Sequence, residues 1–229
     1  MTSAIIVGAG KGIRMRGKIS KQYLLLGSRP VLAHTLKIFD NCDLIDRIFI
    51  VVPEHDFDYC RKNILCWVRS EKEVRLVPGG AKRQDSVYNG LVAAGDNIKG
   101  FVGIHDGVRP FLSSDILSAC ISGAKNFGAC IPGIKAFDTL KQTTGSGIID
   151  KTIEREMIWL AQTPQVFEYN LIRKAHEKAR QNNYYGTDDA SLVERLGKKV
   201  KIIKGSSLNI KITSREDLQL AEAIIQVDF

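Results

Sequence analysis

The stretch SAIIVGAGKGIRMRGKISKQYL, residues 3–24, joins a short apolar run to a loop rich in glycine, arginine and lysine. The run at 4–7 is typical of a strand in a parallel sheet, because helices cover both faces of such strands. The glycines that follow allow a backbone to approach a ligand closely. Arg14 and Lys21 are two cations that suit phosphate oxygens. The segment therefore predicts either a polyphosphate-binding loop or a plain strand-to-helix turn with solvated charges.

Two familiar phosphate-binding patterns do not fit this loop. A dinucleotide fingerprint that starts at Gly8 requires a sixth-position glycine, where the chain has Ile13, and the acidic residue expected about 20 positions later is missing. An ATPase loop that starts at Gly12 requires a magnesium-binding hydroxyl, where the chain has Ile19. A glycine loop with its own arrangement of cations remains.

Short apolar runs alternate with helix-length segments along the chain. The runs predicted as strands are 4–7, 48–52, 74–77, 101–104, 129–131 and 200–203. The segments predicted as helices are 31–39, 83–94, 115–127, 171–180, 189–196 and 216–225. This alternation predicts an α/β fold with a mainly parallel sheet, helices on both faces and a ligand site beyond the carboxyl ends of the strands. Residues 1–229 are expected to form a single domain.

The segment AFDTLKQTTGSGIIDKTIERE, residues 136–156, interrupts this alternation. Strand-forming residues lie on both sides of a Gly-Ser-Gly turn, and this arrangement is typical of a long β-hairpin. The sequence therefore predicts a hairpin beside the main sheet.

Composition limits the classes of protein to which the chain can belong. No apolar run reaches the ~18 residues of a membrane span, and no leader pattern is evident, so we expect a cytoplasmic protein with no membrane partner. The five cysteines contain no C-x-x-C pair, which favours buried reduced thiols over a zinc cluster. The net charge of +8 suits a nucleic acid or a small anionic substrate. The basic residues at 198–204 lack an aromatic recognition pattern, so we expect no nucleic acid.

Eight ordered motifs carry a resemblance that covers residues 3–221. They are GAGKGIRM, KQYL, GGAKRQDSV, HDGVRPF, DTLK, QTPQVF, TDDASLVE and NIKITSREDL. In order and spacing the chain resembles the 2-C-methyl-D-erythritol 4-phosphate cytidylyltransferases. The resemblance implies a Rossmann-like nucleotidyltransferase fold and transfer of CMP from CTP to a polyol phosphate in the non-mevalonate isoprenoid pathway. It also implies a Mg²⁺ requirement and a homodimer joined by the hairpin, with a composite active site.

The resemblance also implies roles for residues near the nucleotide. Arg14 and Lys21 match the residues that stabilise the transition state, which suits the charge that develops when a phosphate attacks a triphosphate. The residues that match nucleotide contacts are Gly8, Ala9, Gly10, Gly12, Gly80, Ala81, Ser86 and Asp106. Asp106 follows a predicted strand, and its carboxylate suits either Mg²⁺ or a ribose hydroxyl. The local alternative for Ser86, or for Asp85 beside it, is a helix cap.

Four further residues match contacts to the acceptor. Arg155 and Lys211 match cations that position the acceptor phosphate, Thr187 matches a hydrogen-bonding residue, and Asp138 is a candidate for orienting hydroxyl groups. Because the hairpin of this family crosses between subunits, Arg155 is expected to act in the partner's site. The local alternatives are an ion pair for Arg155 and a helix cap for Thr187.

Two other functions stay open at this point. A ribitol 5-phosphate cytidylyltransferase shares most of these motifs and differs in its acceptor, and Arg155 before WLAQTPQ favours methylerythritol phosphate. A basic RNA-binding module would use 198–204 but lacks a recognition motif. Lys11 and Ser20 depart from the family's pattern, and Ser20 stands where proline usually precedes the catalytic lysine.

Overall fold

A computed structural model describes residues 1–10, 19–95 and 99–228 of the chain. In chain order, the strands are β1 (Thr2–Val7), β2 (Leu25–Leu26), β3 (Arg29–Pro30), β4 (Arg47–Val52), β5 (Glu73–Pro78), β6 (Phe101–Asp106), β7 (Ala129–Lys135), β8 (Leu140–Thr143), β9 (Ile149–Ile153), β10 (Trp159–Ala161), β11 (Gln165–Glu168) and β12 (Lys201–Lys204). The α-helices are α1 (Val31–Asp40), α2 (Phe57–Asn63), α3 (Arg83–Ala94), α4 (Ser114–Phe127), α5 (Tyr169–Gln181), α6 (Asp189–Arg195) and α7 (Arg215–Asp228). Within this part of the chain, no helix is long and apolar enough to cross a membrane.

The main sheet has eight strands and is mostly parallel. β11, β6, β1, β4 and β5 lie side by side in that order, and β7 pairs with β11, β10 and β12. β1 runs parallel to both β4 and β6, and β4 runs parallel to β5. β11 is antiparallel to β6 and β7. The predicted fold class is confirmed. The sequence patterns do not reveal β2, β3, β10, β11 and α2.

Helices on both faces of the sheet bury two apolar clusters. Along β4, Ile48 and Ile50 belong to one cluster, whereas Phe49 and Val51 belong to the other. Successive side chains of a strand point to opposite faces, so a continuous apolar run is what a doubly covered strand requires. This arrangement leaves the carboxyl ends of the parallel strands free for a site.

Local sequence sets the ends of α4. The Ser113 hydroxyl accepts a hydrogen bond from the backbone N–H of Ile116 at 3.3 Å, which satisfies one unpaired group of the first turn. Gly128 ends the helix with φ of 79°, a left-handed conformation that glycine adopts at little cost. The predicted helix at 115–127 therefore begins one residue early, at Ser114.

The predicted hairpin segment contains a separate two-stranded sheet. β8 pairs antiparallel with β9, with an irregularity between Gln142 and Thr143. Most of its side chains are exposed, and Phe137 and Met157 beside it are 76% and 85% exposed. Its role as a dimerisation arm stays a prediction, as does the assignment of 1–229 to a single domain.

Candidate functional site

A cleft of about 350 Å³ lies where β1 and β6 end. Predicted site residues that line it are Gly8, Ala9, Gly10, Lys21, Gly80, Ala81, Ser86, Asp106 and Lys211. Gln22, Lys82 and Arg83 also line the cleft, although the sequence motifs assign them no role. Gly12 and Arg14 lie outside the described residues. The structure therefore brings together segments that are about 200 residues apart in the sequence.

Side chains from the first turn of α3 hold the loop at 79–82. The Gly80 N–H donates to the Ser86 hydroxyl at 3.0 Å, and that hydroxyl donates to the Lys82 carbonyl at 3.1 Å. The Asp85 carboxylate accepts from the Lys82 N–H at 3.1 Å and caps α3. The capping alternative is therefore confirmed for Asp85, and the hydroxyl of Ser86 also fixes the loop.

Asp106 is a buried carboxylate among three cations. Its Oδ1 accepts from Arg83 Nε at 3.0 Å, and its Oδ2 lies 2.9 Å from Lys211 Nζ and 3.5 Å from Arg109 Nε. Burial alone would raise the pKa of Asp106, but the Arg83, Lys211 and Arg109 cations hold it well below its usual range. Asp106 is therefore ionised at neutral pH and holds Lys211 in the cleft.

Arg83 joins Asp106 to a second buried carboxylate. Its Nη1 donates to Asp189 Oδ2 at 2.8 Å, and Asp189 Oδ1 also accepts from His176 Nε2 at 3.1 Å. Burial alone would lower the pKa of Arg83, but Asp189 and Asp106 raise it above its ordinary value. The sequence motifs contain Arg83 and Asp189 without indicating that they pair.

A chain of hydrogen bonds through His105 and Thr163 supports the backbone of Asp106. Burial lowers the pKa of His105 to about 4, so its ring is neutral at pH 7. Since His105 Nε2 lies 3.1 Å from the Arg109 carbonyl, Nε2 carries the proton and Nδ1 accepts from the Thr163 hydroxyl at 3.0 Å. The same hydroxyl accepts from the Asp106 N–H at 3.1 Å. His105 thus fixes the end of β6 and does not line the cleft.

Three predicted acceptor residues are exposed and are not among the described residues that line the cleft. The Arg155 guanidinium donates to the Phe137 carbonyl and lines a separate hollow with Lys135 and Met157. Asp138 lies between β7 and β8, and Thr187 lies just before α6. Of the four predicted acceptor residues, Lys211 is the one among the described residues that line the cleft.

The donor set of the cleft bears on the predicted Mg²⁺. In the described part of the chain, no three His, Cys, Asp or Glu side chains cluster as metal ligands. Among the described lining residues, Asp106 is the one acidic side chain. Mg²⁺ is often held by one or two carboxylates together with substrate phosphates and water. The residues therefore fit a metal that arrives with a nucleotide.

Comparison with known proteins agrees with this geometry. The family described as IspD, 2-C-methyl-D-erythritol 4-phosphate cytidylyltransferase, matches residues 2–227. The enzyme of that name from Syntrophotalea carbinolica is 48% identical over 221 residues, which cover 96% of this chain and 94% of that protein. The one from Clostridioides difficile is 43% identical over 228 residues, which cover 100% and 95%.

Solved structures show the same likeness across the whole fold. The 4-diphosphocytidyl-2C-methyl-D-erythritol synthase from Anaerococcus prevotii superposes with a TM-score of 0.86 at 35% identity, covering 98% of this chain and 96% of the other. The cytidylyltransferase from Thermus thermophilus gives a TM-score of 0.78 at 31% identity, covering 97% and 98%. The chain therefore belongs to the 2-C-methyl-D-erythritol 4-phosphate cytidylyltransferase family and is a nucleotidyltransferase.

Proposed function

We propose that this chain transfers CMP from CTP to 2-C-methyl-D-erythritol 4-phosphate, which gives 4-diphosphocytidyl-2-C-methyl-D-erythritol and pyrophosphate in the non-mevalonate pathway. The observation that carries the proposal is the cleft at the end of β1 and β6, where Lys21, Arg83 and Lys211 meet two glycine loops. Positioned cations and close backbone approach are what a triphosphate requires. Family membership supports the choice of nucleotide and acceptor.

The reaction needs charge stabilisation more than covalent chemistry. An oxygen of the acceptor phosphate attacks the α-phosphorus of CTP, the bond to the β-phosphate bridging oxygen breaks, and pyrophosphate leaves. Negative charge builds on the oxygens around the α-phosphorus, so cations held near it lower the barrier. Lys21 lines the cleft, and we assign this role to Lys21 together with Arg14.

The nucleotide is held by the two glycine loops. We propose that the backbone at Gly8, Ala9, Gly10 and Gly12 follows the triphosphate, and that Gly80, Ala81 and Ser86 recognise the cytosine. The existing bonds of the Ser86 hydroxyl support this assignment, because they fix the loop before a ligand enters. We propose that Asp106 contacts the ribose or the metal.

We propose that Mg²⁺ binds with the nucleotide, with Asp106 as its protein ligand. When bound, the metal would neutralise phosphate charge as a Lewis acid. Both oxygens of Asp106 retain acceptor capacity beside their ion pairs, since an ionised carboxylate offers about four lone-pair positions. The cations around Asp106 keep its carboxylate ionised.

We propose that the acceptor site is completed by a second copy of the chain. Lys211 already lies in the cleft, where Asp106 holds its ammonium group. Arg155 and Asp138 lie at the hairpin, away from that cleft, and exposed apolar side chains beside them suit a subunit contact. A homodimer in which Arg155 enters the partner's cleft accounts for both observations, and Thr187 would add a hydrogen bond.

Steady-state turnover tests the proposed reaction directly. Pyrophosphate release is measured with CTP and Mg²⁺ and either methylerythritol phosphate or ribitol 5-phosphate as acceptor. We expect a higher kcat/KM with methylerythritol phosphate, and no turnover when EDTA removes the metal. Faster turnover of ribitol 5-phosphate would overturn the acceptor, whereas the absence of turnover with both would overturn the reaction.

Removal of the catalytic cations tests the mechanism. We expect Lys21→Ala and Arg14→Ala each to lower kcat by at least about 100-fold, because one lost transition-state contact typically costs ~3 kcal/mol. The matched control is Lys125→Ala on α4, which removes an exposed lysine outside the cleft and should leave kcat unchanged. Near-wild-type kcat in either cleft variant would reject its assigned role.

A further inference from the structure

Four consecutive residues where α3 begins contact residues 180–189, which comprise the end of α5, the loop that follows it and the first residue of α6. The contacts are Lys82 Nζ to the Tyr185 ring at 3.3 Å from its centroid, Arg83 Nη1 to Asp189 Oδ2 at 2.8 Å, the Gln84 amide to Tyr184 and Gly186 at 3.0 Å each, and Asp85 Oδ1 to Arg180 Nη1 at 3.6 Å. We call these contacts between 82–85 and 180–189 the loop clasp.

Gln84 forms the two hydrogen bonds at the centre of the loop clasp. Its Nε2 donates to the Tyr184 carbonyl, and its Oε1 accepts from the Gly186 N–H. The side chain is 8% exposed, so water has little access to these groups. An amide bonded at both ends to backbone groups fixes the loop in position and orientation.

Arg83 forms the second firm contact of the loop clasp. It bonds Asp189 at the start of α6 and Asp106 in the cleft with different nitrogens. Asp189 is 1% exposed and is held from its other side by His176. Two carboxylates on separate elements therefore share one guanidinium, and neither element can shift without disturbing the other.

Each of the two segments joined by the loop clasp contains or adjoins residues that are proposed to contact a ligand. The four residues immediately before Gln84 line the cleft, namely Gly80, Ala81, Lys82 and Arg83. Thr187, the proposed acceptor contact, lies between two clasped residues, Gly186 and Asp189. The position of the Thr187 backbone is thus tied to the start of the helix that the nucleotide loop enters.

We propose that Gln84 is a positioning residue for the acceptor, because it ties the Thr187 loop to the nucleotide loop through the loop clasp. The inference rests on the proposed function, since it concerns the same nucleotide and acceptor. Nucleotide that contacts residues 79–82 restrains the loop clasp and with it the Thr187 loop, so the acceptor binds more tightly to the nucleotide complex. By linkage the acceptor tightens nucleotide binding by the same factor.

Titration calorimetry measures this coupling without turnover. The acceptor, methylerythritol phosphate, is titrated into the homodimer with and without saturating α,β-methylene CTP and Mg²⁺. For the wild-type protein we expect the analogue to lower the acceptor Kd by at least about 5-fold. Gln84→Leu should reduce that factor to less than about 2-fold, while its Kd for the analogue stays within about 3-fold of wild type, because Gln84 does not line the cleft.

Two variants separate positioning from a general loss of structure. Asn89→Leu on the same helix removes an amide that bonds the Pro78 carbonyl at 2.9 Å and not the 180–189 segment, so it should retain the wild-type coupling. Gln84→Glu keeps an acceptor for the Gly186 N–H and loses the donor to Tyr184, and it should give an intermediate factor. This variant also replaces Gln84→Leu if the latter does not fold.

Two results would overturn the inference. One is a wild-type protein in which the analogue leaves the acceptor Kd unchanged, and the other is a folded Gln84 variant that retains the full coupling factor. Failure of the proposed function is a different result, because wild-type protein would then give no turnover with either acceptor.

Discussion

Three cations and two carboxylates, Asp106 and Asp189, lie at or beside the cleft, so positive charge is in excess there. The two carboxylates contact Arg83, Arg109 and Lys211, and His105 beside them is neutral at pH 7. Because each cation is already held by an acidic partner, little side-chain entropy is lost when an anion arrives. The buried carboxylates thus orient the cations as well as balance them.

His105 should make the protein sensitive to mild acid. Its folded pKa of about 4 lies below the ordinary value of about 6.5, so between these pH values the unfolded chain binds a proton that the folded chain does not. The contribution of His105 to the free energy of unfolding is therefore fully present above its unfolded pKa, and it falls as the pH decreases. From pH 7.5 to pH 5, we expect this group to remove about 2 kcal/mol from the free energy of unfolding.

Urea unfolding of wild type and His105→Gln at these two pH values measures the effect. The variant should lose about 2 kcal/mol less than wild type over the same interval, whatever its stability at pH 7.5, because glutamine does not titrate. His55→Gln is the control, since the His55 side chain is 84% exposed, and it should follow wild type. Equal losses in all three proteins would contradict the buried neutral state of His105.

The sequence predicts individual cleft residues better than it predicts their partners. The motifs place Lys21, Ser86, Asp106 and Lys211 in one predicted site, and in the structure these residues line one cleft. The Arg83–Asp189 pair joins residues 106 positions apart. A local sequence pattern cannot reveal such a pair, because each residue is also what one expects of a solvated charged side chain in the first turn of a helix.

At the scale of elements, long periodic segments are predictable and short inserted strands are not. The helix expected at 83–94 has the same bounds as α3. β10 and β11 have only three and four residues, with Pro164 between them. β11 nonetheless lies between β6 and β7, and the β-α alternation of the sequence contains no sign of an antiparallel strand there. Its register depends on burial between two strands distant in sequence.

The close approach of two loops makes Gly79 a sensitive position. A Cβ atom at residue 79 would overlap the Cβ of Ala9, so Gly79→Ala must push apart the two backbone segments that line the cleft. We expect the KM for CTP to rise at least about 10-fold, because a shift of about 1 Å in a binding loop is enough for a large loss. Steady-state kinetics at saturating acceptor measure this change.

Gly145→Ala provides the matched control for Gly79→Ala. Gly145 lies in the hairpin, and a Cβ there would meet nothing within 4 Å. The substitution should leave the KM for CTP at its wild-type value. If Gly79→Ala also binds CTP normally, the contact between the two glycine loops does not determine nucleotide affinity.

At the scale of the whole molecule, the hairpin holds Arg155 apart from the cleft residues with which it is proposed to act. Lys21 and Lys211 line the cleft, whereas Arg155 lines a hollow beside β8 and β9. The Phe137 and Met157 side chains at that hollow are largely exposed, which is unfavourable unless another surface covers them. A two-fold dimer would cover these side chains and bring Arg155 to the partner's cleft.

Mixing two impaired variants at an acceptor concentration below the KM of Arg155→Ala tests this shared site. Arg155→Ala should raise the acceptor KM far more than the KM for CTP, because its cation is proposed to contact the acceptor phosphate. A heterodimer of Arg155→Ala and Lys21→Ala chains has one cleft with both residues intact and one with neither. Random exchange makes half of the dimers heterodimers, so an equimolar mixture should recover about a quarter of wild-type activity.

Sedimentation must first show that the chains are dimeric and exchange. An acceptor defect without recovery after verified exchange would place Arg155 and Lys21 of one site on the same chain, and an unchanged acceptor KM would remove Arg155 from the site.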